Sequence, residues 1–138
     1  MFSVASFFAG VGGIDLGFEE TGEFKTVYAN EFDSYASETF EMNYPTVKVD
    51  QRDIHLVPVE DVPKTDVIIG GFPCQEFSSC GPLGGLQSER GRLYQTLITY
   101  MNKHKPMVVV GENVINLERM ENGEVLKTIK TDLTNAGY

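Results

Sequence analysis

One thiol in this chain stands where it could carry out covalent chemistry. Cys74 follows Pro73 in the stretch Gly71–Gln75, which comes directly after the apolar run Val67–Ile69. That run predicts a parallel strand, and open α/β sheets bind their ligands at the carboxyl ends of the strands. Because the thiolate is the reactive form of cysteine, this place favours a nucleophile. A free cysteine can also be a small core hydrophobe, and position alone leaves both interpretations open.

A carboxylate follows the next predicted strand. Glu112 and Asn113 come directly after the apolar run Met107–Val110. A glutamate at this strand end, beside the strand of Cys74, could be a carboxylic acid that donates a proton. It could equally be a glutamate at a helix start that interacts with backbone amides.

A glycine-rich turn opens the first helix. In Phe8–Gly13, glycines would let the backbone approach a ligand closely, and a helix start favours a negative group. The order Gly10, Gly12, Gly13 and Gly17 does not give G-x-G-x-x-G, which counts against a nicotinamide-dependent Rossmann enzyme. A tight structural turn would explain the loop equally well.

Two acidic residues follow the second and third predicted strands. Glu31 lies about twenty positions past the glycine turn, where α/β cofactor sites hold a ribose diol, and this spacing favours that role over a surface charge. Asp53 could bond an adenine amino group, and a solvated loop residue is equally plausible.

Short apolar strands alternate with helical segments, which predicts a parallel α/β sheet. The predicted strands are Ser3–Phe7, Thr26–Ala29, Val47–Val49, Asp66–Ile69 and Met107–Val110. The predicted helices are Ile14–Glu20, a segment capped by Asp33 that runs to about Met42, one with Tyr94, Leu97, Ile98 and Met101 on one face, and Gly123–Ala136 with Gly137 as its stop. The polar stretch Ser78–Gly91 is longer than an ordinary βα connection and favours a functional loop.

Composition limits the partners of these 138 residues. Eleven basic residues face 20 acidic ones, and a net charge of −9 argues against this chain holding nucleic acid by itself, although Arg90, Arg92 and Lys103–Lys105 could make a cleft locally basic. Cys74 and Cys80 fit neither a zinc pattern nor a disulfide framework, which favours a reducing cytoplasm and no metal. No apolar run approaches membrane-spanning length, so no membrane partner is expected.

Taken together, the motifs resemble those of the DNA (cytosine-5) methyltransferase family. FFAGVGGIDLGFE, NEFD, RDI, GGFPCQEFSSCG and GENV occur in this order, each at the end of a predicted strand. The resemblance covers essentially the whole chain, and Pro-Cys-Gln with Glu-Asn-Val is its strongest part. It implies an α/β fold with a doubly wound, mostly parallel, Rossmann-like methyltransferase sheet of order 3-2-1-4-5. Residues 1–138 would form a partial catalytic, cofactor-binding domain.

The resemblance implies a role for each motif residue. Glu31 would hold the ribose hydroxyls of S-adenosylmethionine, Phe32 would lie against the adenine, and Asp53 and Ile54 would bound its edge. The whole cofactor set would be Phe8, Ala9, Gly10, Gly12, Gly13, Glu31, Phe32, Asp53, Ile54 and Phe72. The catalytic set would be Cys74, Glu112 and Asn113 with Pro73, and the DNA contacts Gln75, Ser78, Ser79 and Arg90.

The implied reaction transfers a methyl group from S-adenosylmethionine to carbon 5 of a flipped cytosine and leaves S-adenosylhomocysteine, without a metal. Carbon 5 is a poor nucleophile, and addition of the Cys74 thiolate at carbon 6 would make the ring enamine-like. A proton placed on ring nitrogen 3 by Glu112 would stabilise this addition. A base would then remove the carbon-5 proton, and the cysteine would leave. The target is inaccessible inside a duplex, so the base must be extruded.

The family pattern normally continues beyond these motifs. We find no arginine-containing catalytic motif, target-recognition domain or final cofactor-pocket segment in the sequence, and we expect a fold truncated before its last strands. Expected partners are double-stranded DNA and a missing C-terminal portion or complementing subunit. The expected setting is restriction–modification in a bacterial or phage-infected cell, in the cytoplasm at the nucleoid. Two alternatives are a transfer-RNA cytosine-5 methyltransferase and a non-catalytic S-adenosylmethionine-binding or regulatory subunit.

Overall fold

The computed structural model describes residues 1–73 and 93–138, and in them five parallel strands form one sheet. The strands are β1 Phe2–Phe7, β2 Phe24–Asn30, β3 Val49–Asp50, β4 Val67–Gly70 and β5 Val108–Gly111. Their order is β3-β2-β1-β4-β5, and every paired neighbour is parallel. The chain changes direction across the sheet between β1 and β4, where open α/β sheets form a crevice at the strand ends. The predicted fold class and strand order are confirmed.

In the described part of the chain, four helices connect and cover the strands. They are α1 Gly13–Glu19, α2 Ser34–Asn43, α3 Leu93–His104 and α4 Glu124–Ala136, with 3₁₀ turns at Ile54–Leu56, Val59–Asp61 and Ile115–Gly123. Asp33 caps α2 as predicted, because its carboxylate accepts from the Ala36 N–H at 2.8 Å. Gly137 ends α4 with φ 102°, also as predicted. Among the described residues, no helix is both long and apolar enough to cross a bilayer.

The helices lie on both faces of the sheet. Alternate side chains of β1 point to opposite faces, as strand geometry requires. Val4 packs toward α1, together with Ile14 and Phe18, while Phe7 packs toward α3 and stacks on Tyr100 with ring centroids 4.9 Å apart. This two-sided burial makes the sheet doubly wound, and it leaves the strand ends as the place where loops can build a site.

The predicted boundaries of the later strands need correction. The predicted bounds Val47–Val49 are wrong: β3 is Val49–Asp50, because Val47 turns back on α2 and donates its N–H to the Tyr44 carbonyl. β4 and β5 each begin and end one residue later than predicted, at Val67–Gly70 and Val108–Gly111, and Gly70 pairs with Gly111. A glycine suits this strand position because α3 packs closely against it: an added Cβ at Gly70 would lie 3.1 Å from Leu97 Cδ1.

A bulge in β2 changes which face its residues reach. Val4 pairs with Thr26 and Ala5 with Tyr28, so Val27 is an extra residue in the ladder. Thr26 therefore reaches Asp15 in α1, whereas Tyr28 joins the core on the α3 side and donates its hydroxyl to Asp50 Oδ2 at 3.1 Å.

Candidate active site

The described site residues collect at the carboxyl ends of the strands. Phe8 follows β1, Glu31 follows β2, Asp53 comes shortly after β3, and Phe72 and Glu112 follow β4 and β5. In a parallel sheet these ends share one edge, so five segments distant in sequence face one crevice. The topology therefore brings together the described motifs of the predicted site.

The glycine turn is shaped by left-handed backbone and by α2 behind it. Phe8, Gly10 and Gly12 have φ values of 53°, 55° and 89°. A Cβ at Gly12 would collide with the Tyr44 ring, whose hydroxyl donates to the Gly12 carbonyl at 3.0 Å. A Cβ at Gly10 would meet nothing within 4 Å. The turn is thus fixed at Gly12 and open at Gly10, where a ligand could approach the backbone.

Glu31 links the glycine turn to the start of α2. Its Oε2 accepts from the Gly10 N–H and its Oε1 from the Asp33 N–H, each at 2.8 Å. The buried Ser37 hydroxyl donates to the Glu31 carbonyl at 2.9 Å, which fixes the main chain as well. A carboxylate has about four acceptor positions, so both oxygens can still accept from a ribose diol. The half-buried, preoriented Glu31 therefore fits the predicted ribose role.

The predicted adenine residues differ in exposure. Phe32 is 72% exposed, so its ring offers an uncovered apolar face next to Glu31. Ile54 is buried, and Asp53 is half-buried with its Oδ1 accepting from the His55 N–H at 3.0 Å. One exposed ring and one partly engaged carboxylate at neighbouring strand ends fit a planar heterocycle with an amino group.

The second half of the site lies where β4 and β5 end. Asn113 Nδ2 donates to the Phe72 carbonyl at 2.6 Å, and the Glu112 N–H donates to the Gly70 carbonyl at 2.9 Å. A Cβ added at Gly71 would lie 3.2 Å from Glu112 Oε2. Glu112 and Asn113 thus flank the residues that lead to Pro73, and Pro73 precedes Cys74 in the sequence. The exposed Glu112 carboxylate can reach a ligand at this edge.

Phe72 connects this edge to the core below. It is 8% exposed, and its ring centroid lies 6.1 Å from that of Tyr94. An added Cβ at Gly111 would lie 3.3 Å from Phe72 Cε1. The Phe72 ring therefore lies between β5 and α3. The main-chain carbonyl of Phe72, and not its ring, makes the contact with Asn113.

Several predicted residues lie outside the described part of the chain. They are Cys74, Gln75, Ser78, Ser79 and Arg90. The nucleophile and the DNA contacts therefore stay predictions. Within residues 1–73 and 93–138, no cluster of three or more His, Cys, Asp or Glu side chains could hold a metal ion.

Three buried polar residues near this edge were not predicted from the sequence. Asn30 donates twice to the turn after β3, and Tyr44 supports Gly12. Asp15 is fully buried in α1 and accepts hydroxyls from Ser6 and Thr26, each at 2.9 Å, and burial raises its pKa. A polar residue inside an otherwise apolar segment was the available signal, but its partners are distant in sequence.

Comparison with known proteins agrees with this geometry. The C-5 cytosine-specific DNA methylase family model matches residues 2–138. The Type II methyltransferase M.Bsp6I of Bacillus sp. (strain RFL6) is 45% identical over 139 residues, which cover 100% of this chain and 44% of that protein. M.NgoFVII of Neisseria gonorrhoeae, also a Type II methyltransferase, is 42% identical over 98% of this chain and 36% of that protein. The chain spans less than half the length of these curated relatives.

Solved structures share the architecture. A prophage-encoded E. coli protein described as a DNA modification methyltransferase superposes with a TM-score of 0.78 at 27% identity, over 98% of this chain and 38% of that one. Spodoptera frugiperda DNMT2 gives a TM-score of 0.77 at 20% identity, over 99% and 41%, which shows the common fold alone. With the family match across residues 2–138, these findings establish the relationship: the chain belongs to the C-5 cytosine-specific DNA methylase family.

Proposed function

We propose that this chain carries the catalytic and cofactor-binding part of a DNA (cytosine-5) methyltransferase. The reaction would methylate carbon 5 of an extruded cytosine in double-stranded DNA through a covalent adduct with Cys74. The observation that carries the proposal is the pairing of Gly70 with Gly111, which sets Glu112 and Asn113 beside Gly71–Pro73. The Glu112 acid and the residues that precede the Cys74 thiol thereby share one edge of the sheet. Glu31, the proposed ribose acceptor, lies at the same edge.

The cofactor would be held at the ends of β1, β2 and β3. Glu31 would accept the two ribose hydroxyls, while Gly10 offers open backbone beside it. Phe32 would cover the adenine ring, with Asp53 and Ile54 at its edge. Phe8, Ala9, Gly12 and Gly13 would shape the turn, and Phe72 would close the pocket toward β4. When bound, S-adenosylmethionine would supply the methyl group as an electrophilic sulfonium substituent.

The chain's own residues would prepare the base. Cys74, as the thiolate, would add to carbon 6, and the electron pair displaced from the 5,6 double bond would make carbon 5 nucleophilic. Glu112 would place a proton on ring nitrogen 3 and so neutralise the charge that develops on addition. Asn113, fixed on the Phe72 carbonyl, would keep this acid in register with the segment that leads to Pro73. After methylation a base would remove the carbon-5 proton, and the Cys74–carbon 6 bond would break.

Substrate binding needs more than these residues. With a net charge of −9, the 138-residue chain is poorly suited to hold a polyanion alone. We propose that a further segment, in the same chain or in a complementing subunit, supplies most phosphate contacts and reads the sequence, while Gln75, Ser78, Ser79 and Arg90 contact the DNA near the extruded base. In a restriction–modification system the enzyme would act at the nucleoid of a bacterial or phage-infected cell.

A methyl-transfer assay with the full-length protein tests the proposal. Radiolabelled S-adenosylmethionine should label duplex DNA, and replacing cytosine by 5-methylcytosine throughout should abolish labelling, because carbon 5 is then occupied. Transfer RNA serves as the competing substrate. Labelling of transfer RNA in preference to DNA would contradict the DNA assignment. Tight S-adenosylmethionine binding without transfer to either polymer would support a non-catalytic subunit instead.

A further inference from the structure

We propose that Asn30 is a positioning residue that fixes the spacing between Glu31 and Asp53, and with it the affinity for the adenosine part of S-adenosylmethionine. The inference rests on the proposed function of those two acidic residues. Asn30 itself points into the protein and is only 2% exposed, so it would act through the residues it holds rather than by touching the cofactor.

The side chain of Asn30 bonds to the last residue of β3 and to the turn that follows it. Its Nδ2 donates to the Asp50 carbonyl and to the Arg52 carbonyl, each at 2.9 Å. Because both partners are carbonyl oxygens, only the amide nitrogen can face them, and this sets the orientation of the amide. One side chain thus uses both of its N–H groups to hold a turn twenty residues away, directly before Asp53.

The main chain of Asn30 holds the other two segments of the pocket. Its carbonyl accepts from the Ala9 N–H at 3.1 Å, which ties the glycine turn to the end of β2. The next residue, Glu31, donates its N–H to the Asp50 carbonyl at 3.1 Å, while its carboxylate accepts from Gly10. The loops after β1, β2 and β3 therefore meet at Asn30.

Ion pairs of Arg52 stabilise the turn that follows β3. Arg52 Nη2 and Nε donate to the Asp50 carboxylate at 2.7 and 2.9 Å, and Arg52 Nη1 donates to Asp61 at 2.8 Å. Tyr28 donates its hydroxyl to the same Asp50 carboxylate. These contacts give the turn a definite shape of its own. Tyr28 and the Glu31 N–H also hold Asp50 to β2, whereas the Asn30 amide holds the Arg52 carbonyl directly before Asp53, so loss of the amide would release the Asp53 side of the turn.

Loss of the amide should lower cofactor affinity more than it alters catalysis. In Asn30→Ala, the Asp50 and Arg52 carbonyls each lose one donor, Asp50 keeps that of the Glu31 N–H, and the residues directly before Asp53 are held less firmly beside Glu31. We expect the Kd for S-adenosylmethionine to rise about 5- to 20-fold. The Kd for S-adenosylhomocysteine should rise by the same factor, because the adenosine part is common to both. At saturating S-adenosylmethionine, kcat should change less than about twofold.

Thr65→Val is the matched control in the full-length protein. Thr65 is 4% exposed and also donates to a carbonyl, that of Val67 at 3.0 Å, but it precedes β4 at the opposite end of the sheet. If Asn30 contributed only to stability, both variants would weaken cofactor binding in proportion to their loss of unfolding free energy. We expect Thr65→Val to lose stability and to keep the wild-type Kd.

A double-mutant cycle provides the decisive calorimetric test. If Asn30 acts through the Asp53 turn, Asn30→Ala and Asp53→Ala should be non-additive, with the second change costing less than it does alone. Asn30→Ser, which keeps one hydroxyl donor, should fall between wild type and Asn30→Ala and serves if the alanine variant does not fold. Unchanged affinity in a folded Asn30 variant, or full additivity, would overturn the positioning role and leave the proposed function intact. Wild-type protein without affinity for S-adenosylmethionine would overturn both.

Discussion

The two halves of the crevice are built differently. At the ends of β1, β2 and β3, the Glu31 carboxylate accepts from two backbone N–H groups, and Ser37 and Asn30 hold the adjoining main chain from positions that are at most 2% exposed. At the ends of β4 and β5, the Glu112 side chain is exposed, and its backbone N–H makes the hydrogen bond that fixes it. Among residues 1–73 and 93–138, the first half is shaped before any ligand arrives, and the second leaves its Glu112 carboxylate open to solvent.

The difference corresponds to what each half would bind in the proposed reaction. A small cofactor can be met by a rigid pocket, because rigid donors and acceptors lose little entropy on binding. An extruded base needs room to enter, so its acid is better placed on an accessible strand end. Substitutions in the first half should therefore change cofactor affinity or stability, and those in the second half should change the chemical step.

The largest expected effect tests the open half at its nucleophile. Cys74→Ser should abolish methyl transfer, a loss of at least about 10³–10⁴-fold, because a serine hydroxyl is a far weaker nucleophile at carbon 6. It should also abolish the covalent adduct with duplex DNA that contains 5-fluorocytosine, where fluorine blocks elimination. The adduct is measured by denaturing gel electrophoresis. Cys80→Ser is the control and should keep it, and trapping by Cys74→Ser would refute the assignment.

The second-largest effect is expected at Glu112, the proposed acid of the same half. Glu112→Gln keeps the size of the side chain and removes the proton, so methyl transfer should slow by about 10²–10⁴-fold. Single-turnover kinetics measures this step, and calorimetry should find the Kd for S-adenosylmethionine within about twofold of wild type. Glu118→Gln, an exposed glutamate of the following turn, should leave both unchanged. A Glu112→Gln protein with a normal rate but weak cofactor binding would reverse the proposed division.

The rigidity of the first half can be broken at Gly12. Gly12→Ala requires a left-handed residue with a Cβ and pushes the Tyr44 ring, so the free energy of unfolding should fall by about 2–4 kcal/mol. Urea denaturation measures it. Gly17→Ala in α1 meets nothing within 4 Å and has no such backbone constraint, so it should be neutral or stabilising by up to about 1 kcal/mol. Equal losses in both variants would show that α2 does not fix the turn.

Removal of the ribose acceptor should cost somewhat less. Glu31→Ala should weaken S-adenosylmethionine binding by about 1.5–3 kcal/mol, since it deletes a charged acceptor and frees two backbone N–H groups. Calorimetry gives the Kd directly. Glu19→Ala is matched, because Glu19 also accepts a backbone N–H, that of Thr26 at 2.8 Å in the amino-terminal half of β2, away from the carboxyl ends of the strands. Its Kd should equal that of wild type, and a normal Kd in Glu31→Ala would contradict the ribose role.

The smallest effect concerns Asp15 beneath the glycine turn. Burial raises its pKa above the ordinary value, so the folded state holds a proton that the unfolded state releases first. Stability from this group is complete below its unfolded pKa near 3.8 and is lost as pH rises through the folded pKa. Urea denaturation between pH 4 and pH 7 should show that the free energy of unfolding of the wild type falls with rising pH relative to that of Asp15→Asn. Parallel curves for the two proteins would show that Asp15 keeps its ordinary pKa when folded.

Much of the fold followed from local pattern. Apolar runs and their spacing located all five strands, and Asp33 and Gly137 marked the start of α2 and the end of α4. Those signals are local because caps and strand periodicity act within a few residues. The order of the motifs along the chain was also sufficient to predict the family, which the match to residues 2–138 confirms.

Other features depended on contacts between distant segments. The bulge in β2, where Val4 pairs with Thr26 and Ala5 with Tyr28, sent Thr26 and Tyr28 to opposite faces. The start of β3, by contrast, moved by two residues for a local reason, because Val47 donates its N–H to the Tyr44 carbonyl at the end of α2.

The sequence by itself determined which residue types stand after each strand, and therefore the family and the candidate chemistry. Only the tertiary structure decided that Asn30 joins three loops, and that Asn113 holds the segment leading to Pro73. The physical reason is that an amide removed from water, fully at Asn30 and partly at Asn113, needs hydrogen-bond partners wherever the fold brings a carbonyl near it. Those carbonyls lie 20 to 41 residues away along the chain, beyond the reach of any local pattern.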